Sequence, residues 1–310
     1  MKNTVTALFI GLGSIGTRHL NNLTAISKVG GFTLIADAVR SSLRALPFET
    51  SALLNKQYTD FDDLPHYDIA FVTNPTNKHY DTLCALRGKA DTIFIEKPIF
   101  DNTDYSLNSC LDESQKAYVA APMRYCGTMI ALKELLPALL PYSARIICSS
   151  YLPEWRRGVD YRTVYSAHKA QGGGVTIDLI HEWDYMAELF GMPIKTYNFK
   201  GKYSNLEIDS DDLSVYIAQY PTMLAEIHLD YFGRKYRRSI ELFCKDGTVT
   251  ADFGDGTLTL ANGEIREYKE DVNERYIREL QYFLSFAFDD APCTNSAQTA
   301  LRVLKLTLGE

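Results

Sequence analysis

Six residues near the start, Gly11-Leu12-Gly13-Ser14-Ile15-Gly16, restrict what this chain can fold into more than any other feature. They follow an apolar run at 5–10 and open a helical stretch at 14–26, so a strand must turn into a helix within a few residues. In that setting the first glycine makes the tight turn, the second lets backbone approach a pyrophosphate, and the third lets helix and strand pack closely. The amides of the first helical turn then face an anion. Gly11, Gly13, Ser14, Ile15 and Gly16 are therefore candidate contacts to a dinucleotide, against the plainer alternative of a glycine-rich turn.

Short apolar runs bounded by turn residues recur at 32–36, 69–73, 92–95 and 118–121, which predicts an α/β domain with a doubly wound parallel sheet over residues 1–121. From residue 122 the texture changes. The stretch 175–190 reads as one strong helix stopped by Gly191 and Pro193, with further helices at 128–140, 273–288 and 297–308. Strand patterns at 145–151, 194–202, 213–220, 223–231, 237–244, 248–253 and 257–260 predict a second, α+β domain over 122–310 with a large, mainly antiparallel open sheet. Two domains also suit a length of 310 residues.

The 32 basic and 39 acidic residues leave a net charge of −7, so no global positive field draws the chain to nucleic acid or an anionic membrane. Six scattered cysteines without a C-x-x-C pair predict a reduced, cytoplasmic protein with neither disulfides nor a zinc cluster. Glycines interrupt the uncharged start, which argues against a signal segment, and no apolar run approaches the ~18–20 residues of a membrane span. The 20 tyrosines suit a polyol ligand, and equally the faces of a large sheet.

Asp37 is read as the end of the second strand, about 20 residues beyond the last glycine, where a carboxylate binds an adenosine ribose and favours NAD; Arg40 and Arg44 nearby leave NADP open, and a turn cap is the alternative. Glu96-Lys97-Pro98 follows another strand, so Lys97 stands where open α/β sheets place ligands and can hold the charge of a substrate oxygen; otherwise it is a surface lysine. The turn Asn74-Pro75-Thr76-Asn77-Lys78-His79 is either an ordinary loop or one that covers a nicotinamide ring. Gly172-Gly173-Gly174 leads into Asp178, His181, Glu182 and Tyr185, whose spacing places them on one helix face, where an imidazole beside a carboxylate can move protons. The alternative is a structural histidine. No further His or Cys group completes a metal site there, and no nucleophile motif is present.

These segments together resemble the Gfo/Idh/MocA family of NAD(P)-dependent oxidoreductases. The resemblance runs almost end to end, through the glycine motif followed by Arg18-His19, the Thr73–His79 turn, Glu96-Lys97-Pro98, Met123-Arg124-Tyr125, the glycine-led Asp178/His181 helix and Asn273-Glu274-x-Tyr276. It implies a Rossmann domain, an α+β domain whose sheet mediates a homodimer or homotetramer, and hydride transfer between a substrate hydroxyl carbon and the nicotinamide. By the same resemblance Asn74, Pro75, Asn77, His79, Glu96 and Lys97 border the cofactor, and Lys97, Asp178 and His181 are catalytic. The family spacing is Asp-x-x-x-His, whereas here His181 follows Asp178 by three and Glu182 holds the fourth position, so the proton falls to His181, Lys97 or Glu182. The upstream Trp155-Arg156-Arg157 and Asp160-Tyr161-Arg162 look like a surface-sugar biosynthesis subgroup, which implies an amino-sugar or nucleotide-sugar substrate. Arg124, Tyr125, Trp155, Arg156, Arg162, Tyr165 and Glu182 are its candidate contacts; Arg156, Arg157 and Arg162 suit a phosphate or carboxylate, or else a salt-bridged loop. One alternative, redox-neutral elimination, hydrolysis or epimerisation through a retained cofactor, needs the same residues; another, a dinucleotide sensor without catalysis, is opposed by Lys97, Asp178 and His181 occurring together.

Overall fold

The computed structural model describes residues 2–41 and 45–310, so Arg44 lies outside the described residues. The chain forms two units, one of residues 1–121 and 276–302, the other of 122–275 and 303–310.

In the first unit, β1 (Thr4–Ile10), β2 (Thr33–Val39), β3 (Lys56–Tyr58), β4 (Tyr67–Val72), β5 (Ala90–Ile95) and β6 (Lys116–Val119) lie in the order β3-β2-β1-β4-β5-β6, every pair parallel. A parallel sheet is covered on both faces, which is why its strands read as unbroken apolar runs; Ala7, Leu8, Phe9, Ile69, Ala70 and Phe71 are all fully buried. The order reverses between β1 and β4. Chains leaving those neighbours in opposite directions open a crevice beyond their carboxyl ends, where Gly11 and Thr73 begin their loops.

Phe9 stacks on Phe71 at 4.6 Å, and Phe94 meets Phe283 edge-on at 5.1 Å. Phe283 belongs to the helix Val272–Phe288, whose Leu280, Phe283 and Leu284 join the core of the first unit. Residues 276–302 thus leave the 122–310 stretch to which the sequence reading assigns them. An amphipathic pattern shows that a helix covers something, not which sheet it covers.

In the second unit, β7 (Ser143–Tyr151), β8 (Lys195–Gly201), β9 (Leu213–Gln219), β10 (Leu224–Asp230), β11 (Phe232–Cys244), β12 (Gly247–Asp252), β13 (Thr257–Thr259) and β14 (Ile265–Glu267) form one sheet ordered β14-β13-β12-β11-β7-β10-β9-β8. Only β7 and β10 pair in parallel. The stretch 175–190 is not one helix. It splits into Val175–Asp178 and His181–Phe190, joined by tight i→i−3 bonds from Ile180 N to Ile177 O and Glu182 N to Leu179 O. Trp183 of the second piece is fully buried edge-on to Tyr216 at 5.1 Å. Among the described residues no helix is long and apolar enough to cross a membrane.

Candidate active site

The glycine loop of the first unit is built from close backbone contacts. Gly11 has φ +89°, and a Cβ there would stand 2.9 Å from Asn74 Cα; one at Gly16 would stand 2.2 Å from Gly11 O. Thr73 packs into the same turn, its hydroxyl donating to Gly11 O at 2.6 Å. Among the described residues a Cβ at Gly13 would meet nothing within 4 Å, and no side chain caps the helix Ser14–Gly30 that starts beside it. Space at Gly13 and the uncapped amides of the first helical turn therefore coincide, which suits a pyrophosphate. Gly16→Ala is expected to destabilise the fold by about 1–3 kcal/mol through overpacking. Gly13→Ala should leave chemical denaturation near that of the unmodified chain and weaken dinucleotide binding instead.

The loop after β4 adds a second polar opening. Asn74 Nδ2 donates to Thr82 Oγ1 at 2.7 Å, while Asn74 Oδ1 is buried without a protein partner. Pro75 and Asn77 are exposed on the same loop. His79 and Glu96, which the sequence reading places against the cofactor, instead hold the loops. The buried His79 ring has Nε2 at 3.0 Å from Asn74 O and Nδ1 at 3.1 Å from both Pro98 O and Ile99 O, joining the loops after β4 and β5. Burial pushes this imidazole below its ordinary pKa, against the carbonyls and the Glu96 charge. Glu96 Oε1 lies 2.6 Å from Nε2 of the fully buried His19, and Glu96 Oε2 accepts from Lys97 N at 3.3 Å. Burial raises the Glu96 carboxyl, but the His19 hydrogen bond and the His19 and Lys97 charges outweigh it and hold the group below the usual carboxylate range. Arg18 lies 4.6 Å over the Tyr276 ring, which also packs edge-on to His19. Arg18-His19 and Tyr276 mark the sequence, yet nothing in their spacing shows that they support Glu96 and, through it, Lys97. Lys97 itself is half-buried and precedes a cis bond to Pro98.

Asp37 departs from its expected role. β2 continues to Val39, so Asp37 lies inside the strand opposite Leu8 and is 4% exposed. Its carboxylate accepts from Asn55 Nδ2 at 3.0 Å and Tyr67 OH at 2.7 Å. Burial, then the Asp37 contact, raise the Tyr67 hydroxyl far above its ordinary pKa, so it stays a donor. An acidic residue has low strand propensity, which is why pattern alone ends the strand too early; two buried donors make it tolerable here.

In the second unit the glycine triplet serves the chain's own packing. A Cβ at Gly173 would stand 2.1 Å from Tyr165 O, and one at Gly174 2.2 Å from Asp211 Oδ1. Asp178 accepts from Tyr165 OH at 2.5 Å and Tyr231 OH at 2.6 Å, so both its oxygens are engaged by phenols. Tyr165 is 43% exposed and Trp155 40%, the Trp155 ring standing edge-on to Tyr231 at 5.2 Å.

The helix break separates residues expected on one face. His181 is half-buried, but Glu182 and Tyr185 are fully buried. Glu182 accepts from Arg238 Nε at 2.7 Å and Nη2 at 3.1 Å, which removes it as a substrate contact or proton carrier. Arg124 is likewise withdrawn: only 7% exposed, it donates to both Asp184 oxygens and to Glu188 at 2.7–2.9 Å. Arg162 is exposed but braced by Asp160 at 2.8 Å and Glu207 at 3.2 Å, the salt-bridged alternative for that loop. Arg156 is exposed and Tyr125 half-buried.

Residues 5–118 match the family model described as an oxidoreductase family with an NAD-binding Rossmann fold. No curated protein matches the chain. Among solved structures, it is similar to a probable dehydrogenase from Thermotoga maritima, with 23% identity, TM-score 0.75 and coverage of 98% of this chain and 95% of that one. The myo-inositol 2-dehydrogenase of Lactobacillus plantarum gives 18% identity and TM-score 0.78, with 98% and 95% covered. The WlbA dehydrogenase of Bordetella pertussis, in complex with NADH and UDP-GlcNAcA, gives 17% and 0.77, with 98% and 94% covered. At such identities these likenesses establish the fold. The family match covers the first-unit sheet, so it is residues 5–118 that are similar to this oxidoreductase family with its NAD-binding Rossmann fold.

Proposed function

We propose that this chain is a nicotinamide-dependent dehydrogenase that moves hydride to and from a secondary alcohol of a sugar or sugar derivative. The observation that carries the reading is the opening at Gly13, where uncapped helix amides and free space occur together, with the orphaned Asn74 Oδ1 on the neighbouring loop. Gly13 to Gly16 would hold the pyrophosphate, and the loop 74–77 would border the nicotinamide. When bound, that ring supplies a hydride acceptor or donor at C4.

The residues of the chain supply the rest. Lys97, at the carboxyl end of β5, donates to the substrate hydroxyl and stabilises charge on its oxygen as the C–H bond is lost. In the second unit His181 is the residue assigned to carry a proton, and Asp178 acts as a positioning residue that holds the Tyr165 hydroxyl. Glycan-type substrates are supported by the inositol dehydrogenase and by the UDP-GlcNAcA complex among the neighbours. The exposed Arg156 suits a phosphate or carboxylate on such a molecule.

Purified protein assayed for absorbance at the reduced nicotinamide band, against polyols and nucleotide sugars, tests the reading. Turnover with a member of that panel supports it; dinucleotide binding without any turnover favours a sensor instead. His181→Gln should lower turnover by about 10²-fold or more while leaving dinucleotide binding near that of the unmodified protein. Turnover unchanged in that variant would assign the proton elsewhere.

A further inference from the structure

We propose that Cys84 and Cys110 are an oxidation-sensitive thiol pair: a hydroperoxide oxidises Cys84, and Cys110 then closes a reversible disulfide between the helices His79–Ala85 and Leu107–Cys110 of the first unit. The inference does not depend on the dinucleotide reading.

The two helices pack against each other, and the cysteines meet at that contact. Cys84 Sγ donates to Ser109 O at 3.9 Å, and this oxygen belongs to the peptide unit that leads into Cys110. Peptide dimensions then put the Cys84 sulfur within about 7 Å of Cys110 Cα. What remains for a bond is rotation of the two side chains toward each other.

Their surroundings give them different roles. Cys110 is fully buried, its thiol donates to Leu107 O at 3.5 Å, and burial, with the Cys84 charge adding to it, pushes that thiol up to about 12. It therefore stays protonated and does not meet an oxidant first. Cys84 is half-buried, and Arg87 Nη1 donates to the same Ser109 oxygen at 3.2 Å, so a guanidinium stands beside the Cys84 sulfur. Asp112 lies 4.0 Å from Arg87 Nη2, and Tyr80, one turn before Cys84, shares hydrogen bonds with Cys84 and Ser109. A partly exposed sulfur beside a cation is the setting in which a thiol is oxidised, and a second cysteine next to it resolves the product.

The chemistry balances with hydrogen peroxide as the oxidant. The Cys84 thiolate takes one oxygen as the O–O bond breaks, and the hydroxide released picks up the proton that the thiol shed and leaves as water. The Cys110 sulfur then attacks the Cys84 sulfenic acid; the S–S bond forms, the S–O bond breaks, and the Cys110 proton leaves with the hydroxyl as a second water. The bond would tie down the helix that holds the loops after β4 and β5, since Thr82 accepts from Asn74 Nδ2 and the His79 ring joins Asn74 O to Pro98 O. It would also close a ring over residues 84–110, which include Lys97.

The test treats the full chain carrying Cys293→Ser, which removes the exposed thiol, with a small excess of hydrogen peroxide. Peptide mapping without reductant should recover Cys84 joined to Cys110, with the intact mass lower by about 2 Da, and dithiothreitol should restore both thiols. In Cys110→Ala the sulfenic acid has no resolving partner, so dimedone should label Cys84; Cys84→Ser should leave Cys110 unoxidised at the same peroxide dose. Thermal unfolding of each variant checks that it is folded, and the mapping of the Cys293→Ser chain stands whether or not the buried position tolerates alanine. Peroxide-treated, folded protein without the Cys84–Cys110 link, or oxidation of Cys110 in Cys84→Ser, would overturn the proposal.

Discussion

Lys97→Ala is expected to lower turnover by about 10²- to 10⁴-fold, with the dinucleotide Kd within about threefold of the unmodified value. The split follows from position. Lys97 leaves β5 where a reacting oxygen would lie, whereas the contacts proposed for the pyrophosphate come from the glycine loop after β1. The lysine is not held by its own strand alone: His19 grips Glu96 at 2.6 Å, and Glu96 receives the Lys97 amide. Steady-state assays paired with fluorescence titration check the prediction. Turnover retained in Lys97→Ala would remove the lysine from the chemistry; a parallel loss of cofactor affinity would make it a binding residue.

The largest expected effect on stability lies in the second unit. Arg238→Ala leaves Glu182, a fully buried carboxylate, without its forked partner, and should cost about 3–5 kcal/mol. Burial pushes the Arg238 guanidinium down in pKa, yet the Glu182 charge outweighs it and holds the guanidinium well above its ordinary value. At about 2–4 °C per kcal/mol for a unit of this size, the melting temperature should drop by about 6–20 °C. Replacing both partners, Glu182→Leu with Arg238→Met, should recover most of the loss because no charge remains buried. Calorimetry of the three proteins decides it. A drop under about 2 °C for Arg238→Ala would mean that water reaches Glu182.

Much of the fold is legible in the sequence because burial on both sides of a parallel sheet writes continuous apolar strands, and because the glycine motif marks the turn from β1 into its helix. The short strands β3 and β14 are not legible: Lys56–Tyr58 and Ile265–Glu267 are polar and too brief for a pattern. Within the candidate site, pattern reading finds Gly11, Gly13, Gly16, Asn74 and Lys97 in their loops but treats every polar residue of a motif as facing a ligand. Glu182, Arg124, His79 and Glu96 show otherwise, since each is consumed by a protein partner. Partners such as Arg238, 56 residues from Glu182, leave no local signal.

The unusual Asp178-x-x-His181 spacing is visible in the sequence, but its consequence is not. The helix breaks between the two residues, and Asp178 turns to Tyr165 and Tyr231. Likewise Asp37 is visible as an acid near the end of β2, while only the pairing of Asp37 with Leu8 shows that it falls short of the strand's end and that Arg40 stands there. Local periodicity and turn chemistry by themselves determined the longer strands, the parallel or mainly antiparallel class of each sheet and the dinucleotide loop. The tertiary structure decided which polar groups are already satisfied inside the protein and which remain for a ligand. Hydrogen bonding across 50 or 60 residues depends on register and packing, and one residue of register turns a side chain from a ligand to a core.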